Sequence, residues 1–145
     1  MTCLVDTNIL LRLSQNSHPM RSTAQKALSV LRRQRQDFYI APQNLNEFYV
    51  VATRPHSSNG LGSSCEEAFE EIQEYKQVFT LLSDRPEIFP TWERLIQRYQ
   101  VMGKQAHDTR LVAAMLVHEI SQILTFNIQD FQRFAEIAVI NPSSL

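Results

Sequence analysis

Acidic side chains stand at four places along the chain where a helix is expected to begin. They are Asp6 in Leu4-Val5-Asp6-Thr7-Asn8, Glu47 in Asn46-Glu47-Phe48, Asp108 in His107-Asp108-Thr109-Arg110-Leu111, and Asp130, with Asn127, in Thr125-Phe126-Asn127-Ile128-Gln129-Asp130-Phe131. Asp108 shares a helical face with Leu111, Val112 and Met115; Glu47 shares one with Val50 and Val51 and, more loosely, Phe48. A carboxylate at the head of a core-facing stripe is costly unless something positive sits against it. Arg54 and Arg110 could each pair with one acid, but no basic residue recurs beside all four. A hard divalent cation, Mg²⁺ or Mn²⁺, would satisfy the whole set with oxygen ligands. Such ions acidify water, neutralise a phosphate and stabilise a leaving oxygen. From these residues alone, the expected chemistry is metal-dependent phosphodiester hydrolysis. The four histidines show no zinc spacing.

Capping is the simpler explanation for any one of these acids. Asp and Asn are favoured N-caps, and an acid in a first turn suits the helix dipole. Asn127 and Asp130 even have the spacing of a capping box. Asp108 and Glu47 resist that explanation, because each heads an apolar stripe.

The elements that must position these groups alternate between strand and helix. Apolar runs at 2–5, 38–41, 80–83, 122–125 and 138–140 predict strands. Helical spacing predicts helices over 7–13, 20–36, 44–53, about 64–79, about 86–99, 106–119 and 127–134. In the second of these, Ala24, Ala27, Leu28 and Leu31 form the apolar face and Arg32, Arg33 and Arg35 close the helix. Ser64 and Glu67 predict a capping box for the fourth, with Phe69, Ile72, Tyr75 and Phe79 as its apolar face. Residues 54–62 form the clearest loop and hold two of the three glycines. This alternation predicts an α/β fold, a parallel sheet covered by helices on both faces in a single domain over 1–145. Sites in such sheets lie beyond the C-terminal strand ends, where strand order reverses, so acids following the first and fourth strands would converge.

Composition agrees with a globular chain. Hydrophobic residues make up 43% and charged residues 20%, which argues against disorder. The net charge of −1 does not announce a nucleic-acid binder, so any basic surface must be local. Cys3 and Cys65 show no metal spacing and suggest no disulfide framework, consistent with a reducing cytoplasm. The opening residues predict no secretory leader, and no apolar run approaches a membrane span.

Taken together, the four acidic motifs resemble those of the PIN domain, in particular the VapC-type ribonuclease toxins of bacterial toxin–antitoxin pairs. Leu4-Val5-Asp6-Thr7-Asn8-Ile9-Leu10 is similar to the first motif of that family and Asn46-Glu47-Phe48 to the second. The stretch 103–114 is similar to the third, and Leu124-Thr125-Phe126-Asn127-Ile128-Gln129-Asp130-Phe131 to the fourth. The resemblance covers almost the whole chain. It implies a three-layer domain with five parallel strands in the order 3-2-1-4-5. It implies Mg²⁺ or Mn²⁺ held by Asp6, Glu47 and Asp108, with Asn127 and Asp130 completing the catalytic set and Thr7, Asn8 and Thr125 orienting the acids. It further implies endonucleolytic cleavage of RNA such as tRNA or rRNA, a cognate VapB-type antitoxin and a homodimer. One departure stands out: many members carry Asp where Asn127 stands. Asn offers a carbonyl oxygen but no charge, which could weaken a second metal position. Arg12, Arg54, Lys104, Arg110 and Arg133 lie near the acidic motifs in sequence and are candidates for phosphate contacts.

Two other functions compete with this one. A non-catalytic RNA-binding or adaptor domain on the same fold would bind RNA without cutting it. A phosphatase using Asp6 as nucleophile would be expected to carry a second Asp two residues on, where this chain has Asn8.

Overall fold

The computed structural model describes residues 1–145. Its strands are β1 (Thr2–Val5), β2 (Asp37–Ile40), β3 (Thr80–Leu81), β4 (Gln122–Leu124) and β5 (Ala138–Ile140). Its helices are α1 (Thr7–Ser14), α2 (Met20–Arg33), α3 (Pro42–Thr53), α4 (Cys65–Val78), α5 (Ile88–Tyr99), α6 (Gln105–Val117) and α7 (Ile128–Phe131). All strand pairs are parallel, in the order β3-β2-β1-β4-β5. The chain runs outward from β1 to β3, then returns to the other side of β1 for β4 and β5. Strand order therefore reverses between β1 and β4, as the resemblance implied.

Period-two alternation along β1 divides the core between the two faces of the sheet. Cys3 and Val5 pack with Ile9, Leu10, Leu28, Leu31, Phe48 and Phe79, beneath α1 to α4. Leu4 points the other way and packs with Leu95, Leu111, Met115, Ile123 and Phe131, beneath α5 to α7. A strand buried on both sides must be apolar at every position, and β1 is fully buried from Cys3 to Val5. The Cys3 thiol is correspondingly pushed up to about 12 by burial, so it is an inert part of the core. No helix is long and apolar enough to cross a membrane.

Three details differ from expectation. Pro42 occupies the first turn of α3, where its missing N–H costs nothing, so this helix starts two residues earlier than expected. On α4, Phe69 does not join the core: it is 57% exposed, and Ala68 is the fully buried residue instead. The Ser64–Glu67 capping box does form and fixes where that helix begins. On α3, the core face is Asn44, Leu45, Phe48 and Ala52, whereas Val50 is 55% exposed. Glu47 therefore does not head a core-facing stripe, because its neighbours one turn on face outward. Asp108 does, since Leu111, Val112 and Met115 are all buried.

Leu111 is 1% exposed, and Leu111→Asp would place an unpaired charge in the second core cluster. The expected loss is about 4 kcal/mol of unfolding free energy in urea melts, against less than about 0.5 kcal/mol for Phe69→Ser. A Leu111→Asp variant with wild-type stability would contradict this packing.

Candidate active site

The register of the central strands builds the first part of the site. Val5 pairs with Leu124, and the Asp6 backbone N–H donates to the Leu124 carbonyl at 3.1 Å. Asp6 and Thr125 thus emerge side by side from the C-terminal ends of β1 and β4. The Thr125 hydroxyl donates to Asp6 Oδ2 at 2.8 Å, and the Thr7 backbone N–H donates to Asp6 Oδ1 at 2.8 Å. Asp6 is therefore also the N-cap of α1; capping and a site role coincide at this residue. Asn8, on the first turn of α1, donates through Nδ2 to Thr125 Oγ1 at 3.1 Å and accepts from the Phe126 N–H through Oδ1 at 3.2 Å. Thr125 Oγ1 accepts in addition from the Asn127 N–H at 3.0 Å. One buried threonine thereby joins the two strand ends, the start of α1 and the turn that carries Asn127.

Glu47 arrives from α3. Its Oε1 accepts from the Thr7 hydroxyl at 2.8 Å, and Thr7 Oγ1 in turn accepts from Asn44 Nδ2 at 3.2 Å. Asn44 is fully buried, and its Oδ1 accepts from the Ala41 N–H at 2.8 Å. Asn44 was not singled out from the sequence. Its only signal there was an Asn on what became the apolar face of a helix. Asp108 arrives from the first turn of α6 and is half-buried.

Asp6, Thr7, Asn8, Glu47, Asp108 and Asn127 line one cleft of about 480 Å³, with Leu11, Asn46, Val50 and Val51 as the rest of its wall. Val50, exposed, and Val51, half-buried, thus line the cleft and do not belong to the core. Asp130 lines a neighbouring hollow with Phe126, Asn127, Ile128 and Gln129. Asn127 occupies the N-cap position of α7, yet its side chain makes no capping hydrogen bond, so no capping box with Asp130 is formed.

The basic candidates scatter. The ion pairs of the structure are Arg98–Glu136 and Arg110–Asp84, so neither Arg54 nor Arg110 neutralises a cleft acid. Arg110 lies in a polar groove on the far side of Glu47, with Gln43, Asn46, Asp84 and His107. Arg12 is bonded to Gln15 at 2.8 Å, Arg54 is the exposed C-cap of α3, and Lys104 is exposed just before α6. Arg133 is directed at the Tyr99 carbonyl and the Gln105 side chain, and stacks near the Phe134 ring.

Electrostatics follow from this convergence of acids. Burial is the main cause that pushes Asp108 from an ordinary 3.8 up to about 7, with Asp6, Asp130 and Glu47 each adding repulsion and no hydrogen bond offsetting them. Asp6 is pushed up to about 6, again chiefly by burial, although the Thr125 and Thr7 hydrogen bonds pull the other way. Asp130 also acts on Asp6 and on Asp108 through its charge.

The donor set consists of carboxylate and amide oxygens with surplus negative charge and no ammonium or guanidinium partner, which is the chemistry a hard divalent ion requires. The side chains flank an open cleft, and as they stand no three His, Cys, Asp or Glu residues are grouped closely enough to hold a metal ion. The residues fit such an ion by charge and donor type, and a closed shell requires the carboxylates to turn inward.

A sequence model of the family described as PIN domain matches residues 3–137. No curated protein sequence matches the chain. Among solved structures, the fold is similar to that of VapBC2 from Rickettsia felis bound to a promoter DNA fragment, with TM-score 0.74, 13% identity and coverage of 97% of this chain and 98% of that one. VapBC-1 from nontypeable Haemophilus influenzae gives TM-score 0.72, 16% identity and 99% coverage of both chains. Mycobacterium tuberculosis VapC20, a sarcin–ricin loop cleaving toxin, gives TM-score 0.62, 15% identity and coverage of 83% and 86%.

The raised pKa values determine a pH dependence of stability without divalent ions. The folded protein holds the protons of Asp6 and Asp108 more tightly than the unfolded chain, so protonation favours folding. The contribution is fully present below about 4, and it is lost as pH rises through about 6 and about 7. In chelator, Asp108→Asn should raise Tm at pH 8 by about 3 °C, on the order of 1 kcal/mol after solvent screening, and change it little at pH 4. Equal effects at both pH values would show that the folded state does not raise the protonation of Asp108.

Proposed function

The chain belongs to the PIN domain family, and from that premise we propose that it is a Mg²⁺- or Mn²⁺-dependent endoribonuclease, the toxin of a type II toxin–antitoxin pair. The observation that carries this reading is the meeting of Asp6, Glu47 and Asp108 on one cleft at the reversal of the sheet, with no basic side chain to balance them. Those three side chains would hold the ion. The chemistry it supplies when bound is a more acidic water and neutralisation of phosphodiester charge. Thr125 and the Thr7 N–H hold both oxygens of Asp6, and the Thr7 hydroxyl holds one oxygen of Glu47, so both carboxylates are anchored on the cleft wall before substrate arrives. Asn127 adds a neutral oxygen on the cleft wall, and Asp130 contributes charge from the adjoining hollow.

Substrate in this reading is RNA, tRNA or rRNA, approaching along the polar groove that carries Arg110, with Lys104, Arg12 and Arg54 as further phosphate contacts. Arg133, whose guanidinium is given to the Tyr99 carbonyl and the Gln105 side chain, lines neither the cleft nor that groove. The likeness to VapBC complexes supports a VapB-type antitoxin as partner. A segment of it would lay apolar side chains against Leu11, Val50 and Val51 and present an Arg to the acids. A homodimer working in the cytoplasm belongs to the same reading.

A second reading, a non-catalytic RNA-binding or adaptor domain, is favoured by one feature: Asn127 lines the cleft without adding a charge. Incubation of structured RNA with the protein and Mn²⁺ separates the two. Cleavage is expected, abolished by chelator and lowered at least about 100-fold by Asp6→Asn, the scale of losing a charge stabiliser at the reacting centre. Tight RNA binding with no cut product under these conditions would establish the adaptor instead.

A further inference from the structure

Gln43, on the first turn of α3, is absent from the acid motifs, yet it joins the two helices that carry Glu47 and Asp108. Its Nε2 donates to Glu47 Oε2 at 3.3 Å and to the His107 carbonyl at 2.8 Å, and its Oε1 accepts from Arg110 Nη1 at 3.5 Å. The polarity of the three partners determines which way the amide faces. A carboxylate and a carbonyl can only accept and a guanidinium can only donate, so the reversed amide would lose all three bonds. Helix α3 packs chiefly on α1 and α4, whereas α6 packs chiefly on α5. Both side-chain hydrogen bonds that cross directly from α3 to α6 run through this one amide.

We infer that Gln43 is a positioning residue that sets the span between the Glu47 and Asp108 carboxylates and so tunes the affinity of the cleft for a divalent cation. The inference rests on the metal-dependent reading above. Its physical content is simple. Glu47 Oε1 is held by Thr7 and Oε2 by Gln43, which fixes rotation of the carboxylate about its last bond. The same amide grips the backbone one residue before Asp108, so the start of α6 cannot drift outward under carboxylate repulsion. Without the amide, Glu47 keeps one anchor and α6 loses its tie across the cleft. A bound ion would then have to restrain both.

The test is calorimetric titration of the full chain with Mn²⁺ for wild type, Gln43→Met, Gln43→Ala and Asp84→Asn, with thermal melts in chelator. Gln43→Met keeps the volume of the side chain and removes its hydrogen bonds. It should weaken Mn²⁺ binding about tenfold, the lower end for residues that orient metal ligands, with Tm within about 2 °C of wild type. Gln43→Ala should weaken it at least as much. Asp84→Asn breaks the Arg110 ion pair but spares the Gln43 bridge, and should leave Mn²⁺ affinity unchanged. In RNA cleavage at limiting Mn²⁺, Gln43→Met should lower kcat and leave KM for RNA unchanged, with excess Mn²⁺ restoring the rate. Wild-type Mn²⁺ affinity in both Gln43 variants would overturn the inference while leaving the nuclease reading intact. So would a raised KM for RNA without a change in Mn²⁺ affinity, which would make Gln43 a substrate contact. A wild-type protein that binds no Mn²⁺ would remove both.

Discussion

Mutual repulsion among carboxylates in a half-desolvated cleft is the constraint around which the rest of the structure is arranged. Burial first, and then the charges of Glu47 and Asp130, push the protonation of Asp6 and Asp108 up, and the Arg110 guanidinium is given to Asp84. A fold built for stability alone would pair such acids with Arg or replace them with apolar groups. Here the charges stay uncompensated by protein. Neutral donors hold Asp6 and Glu47 in place: hydroxyls from Thr7 and Thr125, amides from Asn8 and Gln43, and the Thr7 backbone N–H. Such donors orient an anion without cancelling its charge, so its attraction for a cation survives.

That arrangement depends on the scaffold being rigid where the acids are attached. The two central strands are buried on both faces, and their parallel register puts Asp6 beside Thr125 with no freedom to slip. A slip of one residue would turn Leu4 and Val5 into each other's core and move Asp6 out of the cleft. Helices α1 and α3 are joined through Thr7, Asn44 and Glu47, a chain of hydrogen bonds that ends at the Ala41 backbone. Helices α3 and α6 do not pack closely on one another and meet through the polar Gln43 side chain. The cleft can admit a ligand because this joint is not filled with apolar side chains.

The acid motifs, the alternation of strand and helix and the capping box at Ser64 were legible from sequence because each depends on neighbours within a few residues. Asp108 was legible as a cleft acid for the same reason: its apolar partners lie one and two turns further along the same helix. Glu47 does line the cleft, but not for the reason its helical spacing suggests. Spacing makes Val50 and Val51 look like core residues, whereas they line the cleft wall. Periodicity shows which residues share a helix face but not what that face meets. Phe69 failed in the same way: the capping box settled where α4 begins, while packing against α3 settled which face turned inward. Asn44 and Gln43 were not visible at all, since an amide in a helix gives no signal until its partners, 37 and 64 residues away, are known.

By itself, then, the sequence determined which oxygen-bearing groups the protein would have, and that they would sit at the C-terminal ends of a parallel sheet. The family motifs added the strand order. Both are local properties, set by hydrophobic periodicity and by short runs of adjacent residues. Only the tertiary structure decided that Arg110 would pair with Asp84 and leave the cleft acids unbalanced, that Arg133 would be tied to the Tyr99 carbonyl, and that a glutamine would span α3 and α6. Those outcomes turn on distances between segments remote in the chain, where a difference of one rotamer or half a helical turn chooses between partners of equal chemical suitability.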